Sequence, residues 1–224
     1  MEQRRLGVPL QHLTGEAPFR HEVLAVGPGV FIPRPETELL AGWAIEQVRT
    51  VSDPTVVELC AGSGAISLAI ATETAGCRQW AVELSDDALP YLHENLRGTC
   101  VDVVHGDMAE ALRELDGQVD VVVANPPYIP LEAWESVPAE VRDYDPHMAL
   151  FSGDDGLDAV RVLKGVAARL LRPGGEVGIE HAEVQHEQIV TLLAAGGTFD
   201  RVTDHRDLAG RWRYLTARRT KVSP

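Results

Sequence analysis

The segment Asn125-Pro126-Pro127-Tyr128 carries the strongest chemical signal in the chain. Two consecutive prolines fix φ and remove two N–H donors, so the backbone leaves its strand stiff, with carbonyls not all committed to a sheet. The side-chain carbonyl of Asn125 and the backbone carbonyl of Pro126 can together accept both hydrogens of a planar –NH2 group. Tyr128 offers a face against which a flat amide or base can lie. A rigid turn without function has the same composition. Its position after the apolar run Val119–Ala124 argues for a ligand, because open α/β sheets bind ligands at the carboxyl ends of their strands.

A second constellation lies upstream, where the apolar run Val56–Leu59 enters the loop Cys60, Ala61, Gly62, Ser63 and Gly64 and then a helical pattern. Glycines there let a ligand approach the backbone. A dinucleotide loop would place a third glycine where Ser67 stands, so a pyrophosphate is disfavoured. Taken alone, the loop also fits a tight structural turn. Glu83, at the end of the next strand, can accept hydrogen bonds from ribose hydroxyls, which fits both NAD and S-adenosylmethionine. Asp107, in His105-Gly106-Asp107-Met108, can accept from the exocyclic amino group of an adenine. Each carboxylate singly reads as a solvated strand end; three features on three successive strand ends favour an adenosine without a pyrophosphate.

Joined, the two constellations suit methyl transfer from S-adenosylmethionine to a planar amide nitrogen. Such a nitrogen is a poor nucleophile because its lone pair is delocalised, whereas a sulfonium methyl is already activated. The protein is left to align nitrogen, methyl and sulfur, which can contribute roughly 7–11 kcal/mol in a near-attack geometry. Asn125 and Pro126 would favour the pyramidal, partly positive nitrogen of the transition state over the planar ground state. No strong general base is required, because the methylated cationic amide loses its proton readily.

The elements that must position these groups alternate as in an α/β fold with a mainly parallel sheet. Strands are predicted at Thr55–Cys60, Gln79–Leu84, Val101–His105, Val119–Ala124 and Glu176–Glu180, and helices at Ala65–Glu73, Asp86–Leu96 and Asp158–Leu171. Asp86 is the expected N-cap of its helix, and Pro173-Gly174-Gly175 the expected stop of the third. Phe199–His205 and Trp212–Ala217 read as two further strands, antiparallel at one edge. Ahead of these, Phe19–Val26 and Val30–Ile32 read as a hairpin around Gly27-Pro28-Gly29, followed by a helix from Glu36 to Arg49.

Composition narrows the setting. The 224 residues include 34 acidic and 20 basic side chains, a net charge of -14, which repels a polyphosphate backbone and disfavours nucleic acid as a partner. No apolar run has the length of a membrane span and no signal peptide is visible, so a cytoplasmic protein is expected. Cys60, Cys77 and Cys100 match no metal or disulfide spacing, and His181 and His186 no ligand spacing; no metal is expected. A monomer is expected.

At these residues the chain resembles the protein glutamine-N5 methyltransferase family that modifies peptide-chain release factors. The likeness runs from Pro9-Leu10-Gln11-His12-Leu13-Thr14-Gly15 to the end. It includes Phe31-Ile32-Pro33-Arg34-Pro35-Glu36-Thr37-Glu38, Asn125–Pro130, Asp145-Pro146 with Ala149-Leu150-Phe151, and Gly153–Asp158. The resemblance implies a class I, Rossmann-like methyltransferase with a seven-stranded sheet and an antiparallel edge over residues 31–220, after a linker remnant and hairpin in residues 1–30. It implies donor contacts at Cys60–Gly64, Glu83, Met108 and Asn125, a substrate motif at Asn125–Tyr128, and release factors, modified in a Gly-Gly-Gln motif, as partners. Phe31 and Arg34 are expected against the donor pocket. Glu58 stands where Asp is usual, Cys60-Ala61 replace Gly-Thr, and Met108 occupies a position often aromatic. Such proteins usually carry a helical N-terminal domain, so this chain is expected to be a catalytic-domain fragment. A ribosomal-protein glutamine and the amino group of a nucleic-acid base are the alternative substrates, and a non-catalytic adenosine-binding protein is the alternative class.

Overall fold

In the computed structural model, which describes residues 2–221, a two-stranded hairpin precedes a seven-stranded sheet flanked by helices. The hairpin pairs β1 (Glu16–Phe19) with β2 (Glu22–Ala25). The large sheet contains β3 (Thr55–Leu59), β4 (Arg78–Glu83), β5 (Val101–His105), β6 (Val119–Ala124), β7 (Leu171–Glu180), β8 (Phe199–Arg206) and β9 (Trp212–Arg219), in the order β5-β4-β3-β6-β7-β9-β8. The first five of these run parallel; β9 is antiparallel to both β7 and β8.

Every residue of β3 and β6 is buried, as a parallel strand covered on both faces requires. Alternation divides the core into two. Val56, Val121 and Val123 pack with Leu40 and Ile45 of the helix Thr37–Val48 and Ile66 and Ile70 of the helix Ala65–Glu73. Val57, Leu59, Val122 and Ala124 pack on the other face with Val160 and Leu163 of Asp158–Leu170 and Ile189 of His186–Ala194. Strand order reverses between β3 and β6, and a crevice opens at their carboxyl ends. No helix among the described residues is long and apolar enough to cross a membrane.

Three local expectations are corrected. The hairpin turns at Arg20-His21, with Phe19 opposite Glu22, and not at Gly27-Pro28-Gly29. Arg20 takes φ +53°, held from outside: its N–H donates to Glu38 at 3.0 Å and its guanidinium grips Glu73 at 2.5 and 2.7 Å. Asp86 caps nothing; its exposed side chain pairs with His105, and the helix begins only at Leu89. Pro173-Gly174-Gly175 lies inside β7 as a bulge, Leu171 pairing with Val119 and Glu176 with Val121. The preceding helix has already ended at Leu170.

One polar contact joins the hairpin to the sheet's ligand edge. Asn95 accepts the Ala25 N–H at 2.7 Å and donates Nδ2 to the carbonyls of Ala25 at 3.0 Å and Ser63 at 2.9 Å. The hairpin is thereby tied to the loop after β3.

Candidate active site

The carboxyl ends of β3, β4, β5 and β6 surround a cavity of about 430 Å³. From the β3 loop, Cys60, Ala61, Gly62 and Ser63 line it. Gly62 takes φ +54°, and a Cβ there would meet nothing within 4 Å, so this residue faces open space. Gly64 is placed differently from expectation: it does not border the cavity. A Cβ there would lie 2.7 Å from Leu92 Cδ1, and φ is +79°. Its absent side chain leaves room for Leu92 and Leu96.

Glu83 borders the cavity with its carboxylate largely taken. Oε2 accepts the Gly62 N–H at 2.7 Å, and Oε1 those of Leu84 and Ser85 at 2.9 and 2.7 Å. A carboxylate has about four acceptor positions, so one remains for a ligand hydroxyl. Asp107 and Met108 follow along the rim. Asp107 Oδ1 caps the N–H of Ala109 at 2.9 Å, and Met108 Sδ lies 3.9 Å from Cys60 Sγ.

Beneath the loop, buried Glu58 accepts the Ser67 N–H at 2.8 Å. Burial pushes its carboxyl up to about 8; hydrogen bonding to Ser67 opposes the shift and the nearby Glu83 adds to it. Burial likewise pushes the Cys60 thiol up to about 12.

The opposite wall is Asn125, Pro127 and Tyr128. Pro126 departs from expectation in that its ring is buried away from the cavity. Its carbonyl accepts from no donor among the described residues. Asn125 Nδ2 donates to Thr37 Oγ1 at 3.4 Å, leaving Oδ1 without a protein donor. The Tyr128 hydroxyl donates to Glu180 Oε1 at 3.4 Å, and the Tyr128 carbonyl accepts from Gln185 Nε2 at 2.9 Å. Burial raises the Tyr128 phenol above its ordinary value. Gly156 packs so closely that a Cβ would lie 2.3 Å from that same carbonyl. Sequence reasoning assigned no role to Thr37, Glu180 or Gln185. Thr37 lies in a segment already singled out for its resemblance; the other two carry no local signal.

Phe31 and Arg34 border the cavity, with the Arg34 guanidinium 4.8 Å from the Phe31 ring centre. Arg34 lies against the cavity as expected, with its guanidinium paired to Asp145 at 2.5 Å. Burial raises the Asp145 carboxyl, and Arg34 partly offsets that rise. The pair bridges the segment before the helix Thr37–Val48 to the insertion after β6, whose Val141, Pro146 and Met148 also line the cavity. Among the described residues, no three His, Cys, Asp or Glu side chains cluster as a metal site would.

Known proteins match this arrangement. The methyltransferase domain family matches residues 56–144. A release factor glutamine methyltransferase of Streptomyces coelicolor is 53% identical over 97% of this chain and 78% of its own length. The chain belongs to the release factor glutamine methyltransferase family. Within reach of that family lies a 4-amino-L-phenylalanine/4-methylamino-L-phenylalanine methyltransferase of Streptomyces pristinaespiralis, 37% identical over 95% of this chain and 70% of its own. Among solved structures, the release factor-specific protein-(glutamine-N5) methyltransferase of Alicyclobacillus acidocaldarius superposes with a TM-score of 0.53. It is 25% identical, over 87% of this chain and 98% of that one. The seven-stranded sheet with its antiparallel edge is the fold such methyltransferases share.

Proposed function

We propose that this protein transfers a methyl group from S-adenosylmethionine to the side-chain amide nitrogen of a glutamine in peptide-chain release factors, within a Gly-Gly-Gln motif. The observation that carries the reading is the Asn125 amide: its Nδ2 is held by Thr37 while its Oδ1, beside the free carbonyl of Pro126, is left to accept from a ligand.

The cavity fits the donor. Gly62 leaves space for close approach, Glu83 keeps one acceptor position, and Met108 offers a polarisable surface for an adenine, with the Asp107 carboxylate beside it. Cys60, Ala61 and Ser63 would complete the floor, Gly64 would hold the turn, and Phe31 would close the wall. When bound, the donor supplies an electrophilic methyl on sulfur.

The chain's own groups then orient the nucleophile. Asn125 Oδ1 and the Pro126 carbonyl accept the two amide N–H bonds, and the Tyr128 ring, with Pro127 beside it, supports the amide plane. The acceptors stabilise the nitrogen as positive charge develops on it, and the mostly apolar walls exclude water. The acidic surface, net -14, favours a protein over a nucleic acid.

The test is the mass of a class 1 release factor before and after incubation with the protein and S-adenosylmethionine, with duplex DNA and 4-amino-L-phenylalanine as parallel acceptors. One added methyl on the glutamine is expected. Methylation of DNA or of the aromatic amine, with the release factor unchanged, would overturn the assignment.

A further inference from the structure

We propose that Gln185 is a positioning residue for methyl transfer: by holding the Tyr128 carbonyl, its side-chain amide sets where the Asn125–Tyr128 motif stands in the cavity wall. The inference rests on the amide-clamp reading above.

The motif needs outside support because its own backbone offers little. β6 ends at Ala124, and Pro126 and Pro127 have no N–H with which to continue a ladder. The chain is fastened again at Ile129, whose N–H donates to the Leu150 carbonyl at 2.8 Å and whose carbonyl accepts from Ser152 at 3.0 Å. Of the carbonyls from Asn125 to Tyr128, only that of Tyr128 accepts from a donor among the described residues, and the donor is Gln185 Nε2 at 2.9 Å. The direction of that amide is fixed. The second Nε2 proton goes to the Asp155 carbonyl at 3.1 Å, while Oε1 accepts the Ala182 N–H at 3.2 Å. A flipped amide would set Oε1 against two carbonyls and one N–H against another. Gln185 is 2% exposed, so bulk water does not compete for these bonds.

The neighbouring chain is shaped to admit this contact. Gly156 takes φ +76°, and a Cβ there would lie 2.3 Å from the Tyr128 carbonyl oxygen and 2.5 Å from Gln185 Nε2. The Tyr128 hydroxyl donates to Glu180 at 3.4 Å, so the short stretch from Glu180 to Gln185 holds Tyr128 at both its ring and its carbonyl. Pro126 and Pro127 make the backbone between Tyr128 and Asn125 stiff. A displacement of Tyr128 is therefore carried to Asn125 Oδ1 and the Pro126 carbonyl, the two acceptors assigned to the substrate amide. The donor-side groups Gly62 and Glu83 belong to the opposite wall and make no hydrogen bond to Gln185. Loss of the Gln185 contact should thus misalign the nucleophile and leave the donor in place.

The test measures kcat on a release factor and Kd for S-adenosylmethionine in Gln185→Met and Gln185→Glu. Gln185→Met fills a similar space and makes none of the three bonds. It should lower kcat on the order of ten- to a hundredfold with donor Kd unchanged. Gln185→Glu adds a pH signature that a merely structural role would not give. While neutral, the substituted carboxyl keeps one proton to donate to the two carbonyls; once ionised it faces them with none. Its kcat relative to the unmodified protein should therefore fall as pH rises, again at constant donor Kd. An unmodified kcat in Gln185→Met overturns the role, and so does a parallel loss of kcat and donor affinity, which would mark a general loosening of the fold. If Gln185→Met fails to fold, Gln185→Glu decides: a kcat ratio that does not change with pH overturns the role. Asn125→Ala separates the two readings. If it transfers methyl at the unmodified rate, the clamp is wrong and the role of Gln185 with it; if it is impaired while Gln185→Met is not, only the role of Gln185 is wrong.

Discussion

Gly62 donates its backbone N–H to Glu83 Oε2 at 2.7 Å, so the carboxylate ending β4 holds the turn that follows β3. Replacing Glu83 therefore does two things. Glu83→Ala removes a ligand acceptor and also strands the N–H groups of Gly62, Leu84 and Ser85, at about 1–3 kcal/mol for each that water cannot reach. The variant should melt several degrees lower even without donor, and bind S-adenosylmethionine about ten- to a hundredfold more weakly. Calorimetry and thermal melts of the donor-free protein check this. An unchanged Tm would mean that the carboxylate does not brace the loop.

Glu58 should give the protein an unusual pH dependence. Its carboxyl sits at about 8 instead of near 4.5 because burial opposes the charged form. The folded state thus binds this proton more tightly than the unfolded chain does. The stabilisation is fully present below about pH 4.5 and is lost as pH rises from there through about 8. Glu58→Gln keeps a neutral group at every pH, so its urea midpoint should gain on that of the unmodified protein as pH is raised across this range. Midpoints that stay in constant ratio would show that Glu58 does not retain its proton.

The two loop glycines should fail in different ways. Gly64→Ala meets Leu92 at 2.7 Å and forces a left-handed residue, together costing about 2–4 kcal/mol. Gly62→Ala carries only the conformational cost, about 1–2 kcal/mol, but its methyl enters the cavity. Gly64→Ala should show the larger fall in Tm and Gly62→Ala the larger loss of donor affinity relative to its stability. Equal effects on both measurements would contradict this division of labour.

Cys60 adopts φ +58° without being glycine. Cys60→Gly removes left-handed strain of about 1–2 kcal/mol and adds back about 0.5–1 kcal/mol of unfolded-chain entropy, so the net change should be neutral to stabilising. Cys60→Val, branched at Cβ in the same conformation, should destabilise. Because its thiol is pushed up to about 12, Cys60 should resist alkylation at neutral pH while exposed Cys100 reacts, a contrast visible by peptide mass. Equal labelling of both would refute the assignment.

Periodicity made the parallel part of the sheet and its first helix legible: β5, β6 and the helix Ala65–Glu73 begin and end where their residue types change. The hairpin was missed for a definite reason. Gly27-Pro28-Gly29 is the stronger local turn signal, but Arg20 is held at positive φ by Glu38 and Glu73, carboxylates on other elements. Pro173 misled similarly, since proline inside a strand is tolerated only where a bulge removes the need for its N–H. At the site, Asn125 and Glu83 were visible because they end strands. Glu180 and Gln185 reach Tyr128 only after the chain has crossed to β7, and nothing near them in sequence marks the encounter.

Asn95 closes backbone gaps on both Ala25 and Ser63, and this has a mechanical meaning. The hairpin and the loop that borders the cavity share one side-chain amide as a rivet, so neither can shift without breaking bonds in the other. The stiffness of the cavity floor is thus set in part by residues that precede the sheet in sequence, and a strain applied to the hairpin reaches the floor through this planar group as well as through the apolar core that Leu24 and Val26 share with Ala61 and Ala65.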